Sequence, residues 1–141
     1  MTDLYITQVT ARGGRQGTVR SDDGLLDLRL ALPGPLGGKG GSTNPEQLFA
    51  GGYAACFGNA LIHVARTKNR KVSDEDVEVI AQVGVGPNGS GGFKLSVSLA
   101  ITIVGVDQST AEEIVAAAHA VCPYSNAVRG NIDVSMSTAT R

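Results

Sequence analysis

Two cysteines are the residues of this chain best suited to covalent chemistry. Cys56 lies in the nearly uncharged run Gln47-Leu48-Phe49-Ala50-Gly51-Gly52-Tyr53-Ala54-Ala55-Cys56-Phe57, and Cys122 lies in Val121-Cys122-Pro123-Tyr124-Ser125-Asn126-Ala127. Two cysteines in such settings suggest a redox pair. The bland alternative is that a cysteine in an apolar helix packs as a small hydrophobe and stays inert. Reactivity requires a thiolate, and a thiolate in apolar surroundings requires a nearby cation.

Gly13-Gly14-Arg15-Gln16-Gly17 offers that cation, since flanking glycines let the backbone turn sharply and carry Arg15 on a hairpin tip. A solvated turn arginine is the competing reading, and Arg12, Arg20 and Arg29 compete for the role. Glu46 reads equally well as a first-turn acid in a helix cap, worth ~1 kcal/mol or less, and as a carboxylate that holds an arginine fork. A different chemistry uses histidine: Cys56 with His63 and His119 with Cys122 make a two-cysteine, two-histidine donor set for zinc, although the spacing matches no common zinc module.

The elements that must position these residues follow from local pattern. Leu26, Leu28, Leu30 and Leu32 alternate with other residues after the turn signal Asp23-Gly24, which with a strand near Tyr5 to Arg12 predicts an amino-terminal sheet. Residues 33–43 are rich in Gly and Pro and predict a mobile loop with no regular element. Thr43-Asn44-Pro45-Glu46 then supplies a cap, a first-turn proline and an acid, predicting a helix to about Lys68. Val77 to Val85 and Phe93 to Ile103 alternate around Pro87-Asn88-Gly89-Ser90-Gly91-Gly92, a second hairpin. Thr110-Ala111-Glu112-Glu113 reads as a capping box opening a helix with Ile114, Val115, Ala118, Val121 and Cys122 on one apolar side, ended by Pro123. Ile132, Val134 and Met136 form a closing strand. The expected class is α+β, one domain over 1–141, with two buried helices on largely antiparallel sheet.

Composition narrows the function. The 141 residues carry 12 Lys+Arg against 13 Asp+Glu with no basic cluster, which disfavours nucleic acid and anionic membrane surfaces. The stretch 47–65 is uncharged and near membrane-spanning length. Gln47, Asn59, His63 and three glycines within it, with strand patterns on both sides, favour a buried central helix instead. The start Met1-Thr2-Asp3-Leu4-Tyr5 has no signal-peptide pattern, so the expected location is a reducing cytoplasm, where a cysteine pair leans towards catalysis or metal.

In order along the chain, Gly13-Gly14-Arg15-Gln16-Gly17, Thr43-Asn44-Pro45-Glu46-Gln47-Leu48-Phe49-Ala50, Gly52-Tyr53-Ala54-Ala55-Cys56-Phe57 and Val121-Cys122-Pro123-Tyr124-Ser125-Asn126-Ala127 resemble the organic hydroperoxide resistance proteins of the OsmC-like superfamily. Cys-Pro-Tyr-Ser around the second cysteine resembles that branch more than the osmotically induced one. The resemblance implies an OsmC-like fold and a peroxidase without haem, flavin or metal, acting on organic hydroperoxides and recycled by a dithiol such as protein-bound lipoamide. It implies that Cys56 is the peroxidatic cysteine, Cys122 the resolving cysteine, and Arg15 with Glu46 the activating pair. Phe49, Tyr53, Phe57 and Leu36 are the apolar positions expected to favour bulky hydroperoxides.

Glu46 and Cys56 are ten residues apart on one predicted helix, ~15 Å along its axis. Both serve one site only if the helix meets an antiparallel copy of itself, as in an intertwined two-fold homodimer. The small residues at 50–55 would permit that approach. A non-catalytic dimer or a one-shot peroxide sensor is the rival, although neither a helix-turn-helix nor a basic face is present to read DNA.

Overall fold

The computed structural model describes residues 1–141 in two units, Met1–Leu48 and Phe49–Arg141. In the first, β1 (Val9–Arg12), β2 (Thr18–Ser21) and β3 (Asp27–Arg29) form an antiparallel sheet in that order. The β1–β2 connection is a short 3-10 turn, Gly14–Gln16, closed by the Arg12–Thr18 pair. Its glycines are there for steric reasons. Gly13 and Gly14 have φ of 79° and 59°, and a Cβ at Gly17 would stand 1.6 Å from the Arg12 carbonyl oxygen.

Two expectations change in this unit. The alternating leucines make a strand of only three residues, in which Leu28 is exposed, and of the four only Leu30 is buried. Residues 33–43 also contain a regular element, the 3-10 turn Gly34–Leu36. The Gly38 N–H donates to the Pro33 carbonyl and the Gly40 N–H to that of Leu32. A Cβ at Gly38 would meet the Leu32 carbonyl oxygen at 2.0 Å, so this loop too is built on a backbone contact.

α1 (Pro45–Thr67) begins where the cap predicts: the Asn44 side-chain oxygen accepts from the Gln47 N–H at 2.9 Å, and Pro45 takes the first position. Thr67 closes it one residue before the expected Lys68. By length and composition α1 would suffice to cross a membrane, yet Tyr53, Phe57, Ala60, Leu61, Val64 and Ala65 form a buried stripe along it. Gly51, Ala55 and Asn59 occupy the opposite, exposed side.

In the second unit β4 (Val77–Pro87) pairs antiparallel with β5 (Phe93–Ile103), and β6 (Val134–Thr140) pairs parallel with β5. The parallel pairing follows from the connection, since the chain returns through α2 (Gln108–Val121) and α3 (Pro123–Val128). Val97, Leu99, Ile101 and Ile103 point inward from β5, and Ala111, Ile114, Val115 and Ala118 from α2; with the buried stripe of α1 they form one apolar cluster. Burial of each large member is worth about 1.5–3 kcal/mol.

Three sequence expectations for α2 and its end need correcting. The cap is Asp107, whose carboxylate accepts from the Thr110 N–H at 2.7 Å, so Thr110 sits inside the first turn. Val121 is exposed rather than on the apolar side. Pro123 does not end the helical region but starts α3, because proline's missing N–H costs nothing at a first helical position.

Candidate active site

Cys122 is the residue between two helices: it closes α2, donating its N–H to Ala118, and caps α3 with an extended φ, ψ of −63°, 124°. This turns its fully buried side chain back towards α1. Its Sγ lies 3.8 Å from Cys56 Sγ, and both thiols are free. A disulfide needs ~2 Å, so the two sulfurs are poised for bonding across 66 residues of sequence.

Three influences set the Cys56 thiol. Burial pushes its pKa up, the backbone N–H of Tyr124 pulls it down, and the neighbouring Cys122 thiol pushes it up again, leaving it above the ordinary thiol value. The Tyr124 N–H is available because a first-turn amide has no partner within its own helix. No cation is among the groups acting on this sulfur.

Arg15 and Glu46 are brought together in the amino-terminal unit. Arg15 Nη1 donates to Glu46 Oε2 at 2.8 Å while Nη2 bonds Oε1, a bidentate fork. The hydrogen bond from Arg15 holds the Glu46 carboxyl below its ordinary range, and reciprocally Glu46 raises the guanidinium. Glu46 thus exceeds a helix-cap role, since the cap hydrogen bond is made by Asn44. Leu36, at the end of the 3-10 turn of the same unit, is exposed.

Phe49, Tyr53 and Phe57 follow one another along α1, with ring centroids 6.3 Å and 6.4 Å apart. Phe49 is half-buried, whereas Tyr53 and Phe57 are fully enclosed and form the back of this region. Sequence reasoning missed Tyr124, whose ring lies 6.4 Å from Phe49 and 5.9 Å from Tyr53 and is partly exposed. It packs so closely over Gly52 that a Cβ there would stand 2.8 Å from the phenol oxygen. The local signal was the glycine itself, set in a helix beside aromatic residues.

The polar groups behind the thiols were also missed. The Tyr53 hydroxyl and Ser125 Oγ are 2.7 Å apart, and Ser125 Oγ is 2.9 Å from His119 Nδ1. Arg129 ties the two helices, donating to the His119 carbonyl and to Asn126 Oδ1, each at 2.5 Å. Burial, followed by the positive charge of Arg129, holds the His119 pKa down. Burial raises that of the Tyr53 phenol. The zinc arrangement does not form: no three His, Cys, Asp or Glu side chains are grouped to hold a metal ion, and His119 Nδ1 is committed to Ser125.

Residues 38–137 match the family model described as OsmC-like protein. The chain is 48% identical over 134 residues to the organic hydroperoxide resistance protein OhrB of Bacillus subtilis (strain 168), across 94% of this chain and 96% of that one. It is 49% identical over 137 residues to the organic hydroperoxide resistance protein of Xanthomonas axonopodis pv. citri (strain 306), across 96% and 95% of the two chains. Among solved structures, an organic hydroperoxide resistance protein from Legionella pneumophila superposes with a TM-score of 0.93 at 51% identity, over 99% of this chain and 100% of that one. A protein from Vibrio cholerae, described as a putative organic hydroperoxide resistance protein with captopril bound in one of its active sites, gives 0.91 at 52% identity, over 99% and 94%. With its motifs and fold, this agreement over nearly the whole length shows that the chain belongs to the OsmC-like family, among the organic hydroperoxide resistance proteins.

Proposed function

We propose that this protein is a cysteine peroxidase that reduces organic hydroperoxides to alcohols and so detoxifies them. The observation that carries the proposal is the 3.8 Å approach of Cys122 Sγ to Cys56 Sγ; the names of its relatives supply the substrate class.

Cys56 thiolate attacks the distal peroxide oxygen, the O–O bond breaks, and the departing alkoxide takes a proton to leave as an alcohol. The sulfur becomes a sulfenic acid. Cys122 attacks it, an S–S bond forms, the S–O bond breaks, and the hydroxyl leaves with the thiol proton as water. A dithiol, such as lipoamide on a carrier protein, then exchanges with the disulfide, restoring both thiols and itself becoming a disulfide. The balance is one hydroperoxide and one dithiol consumed per alcohol, water and oxidised dithiol formed. These dithiol-dependent steps suit a reducing cytoplasm.

The raised Cys56 pKa is the reason to place the working enzyme in a homodimer. A thiol held up by burial is made nucleophilic by a cation, and Arg15, locked by Glu46, is the cation with a built-in support. Ten helical residues between Glu46 and Cys56 correspond to ~15 Å, so the pair would act on the Cys56 of a second copy through the small-residue face of α1 at Gly51 and Ala55. The two units of each chain then work as one peroxidase domain. Arg15 would also donate to the departing oxygen as charge develops there.

The test is mass spectrometry after one equivalent of an alkyl hydroperoxide. The expected product is a Cys56–Cys122 disulfide in the wild type and a Cys56 sulfenic acid in Cys122→Ser. Unchanged turnover with a dithiol by Cys56→Ser would overturn the proposal.

A further inference from the structure

The Ser125 hydroxyl is fully buried, and two groups reach it: Tyr53 from α1 at 2.7 Å and His119 from α2 at 2.9 Å. Ser125 has one proton to give. If it went to Tyr53, the phenol proton would be left without an acceptor, since Tyr53 is itself fully enclosed and Ser125 is its hydrogen-bond partner. No buried polar side-chain atom in this structure lacks a partner. The consistent order is therefore Tyr53 O–H to Ser125 Oγ and Ser125 O–H to His119 Nδ1, with His119 neutral and its proton on Nε2.

Ser125 lies in the first turn of α3, the turn that Cys122 caps and from which the Tyr124 N–H reaches Cys56. The hydrogen-bonded chain thus ties that turn to both α1 and α2. We propose, resting on the two-cysteine peroxidase reading, that Ser125 is a positioning residue for the resolving step, holding Cys122 against Cys56 through Tyr53 and His119, and that this hold requires a neutral His119. The chemical step is unchanged: Cys122 displaces hydroxide from the Cys56 sulfenic acid, and the thiol proton leaves in the water formed.

Protonation of His119 at Nδ1 would turn the acceptor into a donor. His119 would then donate to Ser125 Oγ, and either the Ser125 proton or the Tyr53 phenol proton would be left buried without an acceptor. The surroundings of His119 resist that protonation. Arg129 is the charged group bound at its carbonyl; α1 contributes the neutral Tyr53 and Cys56, α3 and its cap contribute Tyr124 and Cys122, and β6 has no ionisable side chain. A decline of disulfide formation in the imidazole range is therefore assigned to His119.

Rapid-quench trapping of Cys56 sulfenic acid and of the disulfide across pH tests this, alongside nitrogen NMR of the reduced wild-type His119 ring. Ser125→Ala and Tyr53→Phe are expected to form sulfenic acid but convert it to disulfide about tenfold more slowly, the scale of one lost hydrogen bond. His119→Asn, whose Oδ1 can stand where Nδ1 stood and does not titrate, is expected to keep the neutral-pH rate and lose the decline in the imidazole range. The ring should carry its proton on Nε2. A wild-type resolving rate in Ser125→Ala, an unaltered decline in the imidazole range in His119→Asn, or a proton on Nδ1 would overturn the inference alone. Failure of the wild type to form either oxidised species would overturn the peroxidase reading and this inference with it.

Discussion

Arg15 and Glu46, 31 residues apart in sequence, meet as a two-pronged ion pair in which each carboxylate oxygen takes one guanidinium nitrogen. The geometry makes a specific demand. A lysine at position 15 would keep the charge but could not make two parallel bonds. Arg15→Lys is expected to lower kcat/KM for an organic hydroperoxide by tenfold or more, and Arg15→Ala by considerably more. The apparent pKa of Cys56 should rise in both, measured by the pH dependence of thiol alkylation. An unshifted alkylation profile in Arg15→Ala would remove Arg15 from thiolate stabilisation.

The proposed sharing of the site between subunits has its own consequence. A Cys56→Ser chain and a Glu46→Ala chain, each nearly inactive, should regain part of the activity when unfolded together and re-dimerised, because one of the two sites then combines an intact Cys56 with an intact Glu46. Heterodimers that form, verified by mass, but stay inactive would confine Glu46 to its own chain.

Gly52 and Tyr124 give a test of selectivity. A methyl at Gly52 would collide with the tip of the Tyr124 ring, which is partly exposed and able to swing away. Gly52→Ala should therefore fold as well as the wild type, and helix propensity even favours it by ~1 kcal/mol. Its KM for long-chain hydroperoxides should rise while that for a short one changes little. In the wild type, efficiency should increase with alkyl length, with an upper bound near fourfold per fully buried methylene, the equivalent of ~0.8 kcal/mol. Equal efficiency towards hydrogen peroxide and a long-chain substrate would remove the aromatic wall from the argument.

The depressed pKa values of His119 and Glu46 each shape stability against pH. His119 in the folded state binds its proton less readily than in the unfolded chain, so unfolding takes up a proton as pH falls below the ordinary imidazole range, and stability declines there. Glu46 adds a second loss at lower pH, where the unfolded carboxyl protonates before the folded one, until pH passes through the folded value. Denaturant unfolding across pH should show both declines, and His119→Asn should abolish only the first.

Local pattern made much of this legible. Period-two alternation located β4 and β5 to within a residue or two, and the Asn44-Pro45 signal placed the start of α1. The misses share a physical cause in information that is not local. Proline at 123 stops one helix and starts another, and residue type alone does not say which. Leu28 alternates correctly yet is exposed. Tyr53 and Ser125 are 72 residues apart, so their bond is set by how α1 and α3 pack and leaves no mark on either segment. The cysteines were readable as a pair, and so were Arg15 and Glu46; the groups that support the first pair were not.

The single non-helical residue between α2 and α3 has a mechanical consequence. Closing the gap between the sulfurs from 3.8 Å to bonding distance needs less than ~2 Å of travel. Cys122, bound by neither helix's regular φ and ψ, can supply it as a joint by a modest rotation, with α2 and α3 kept intact. On the proposed mechanism, the oxidised and reduced forms differ at a swivel, and repeated turnover need not melt and rebuild secondary structure.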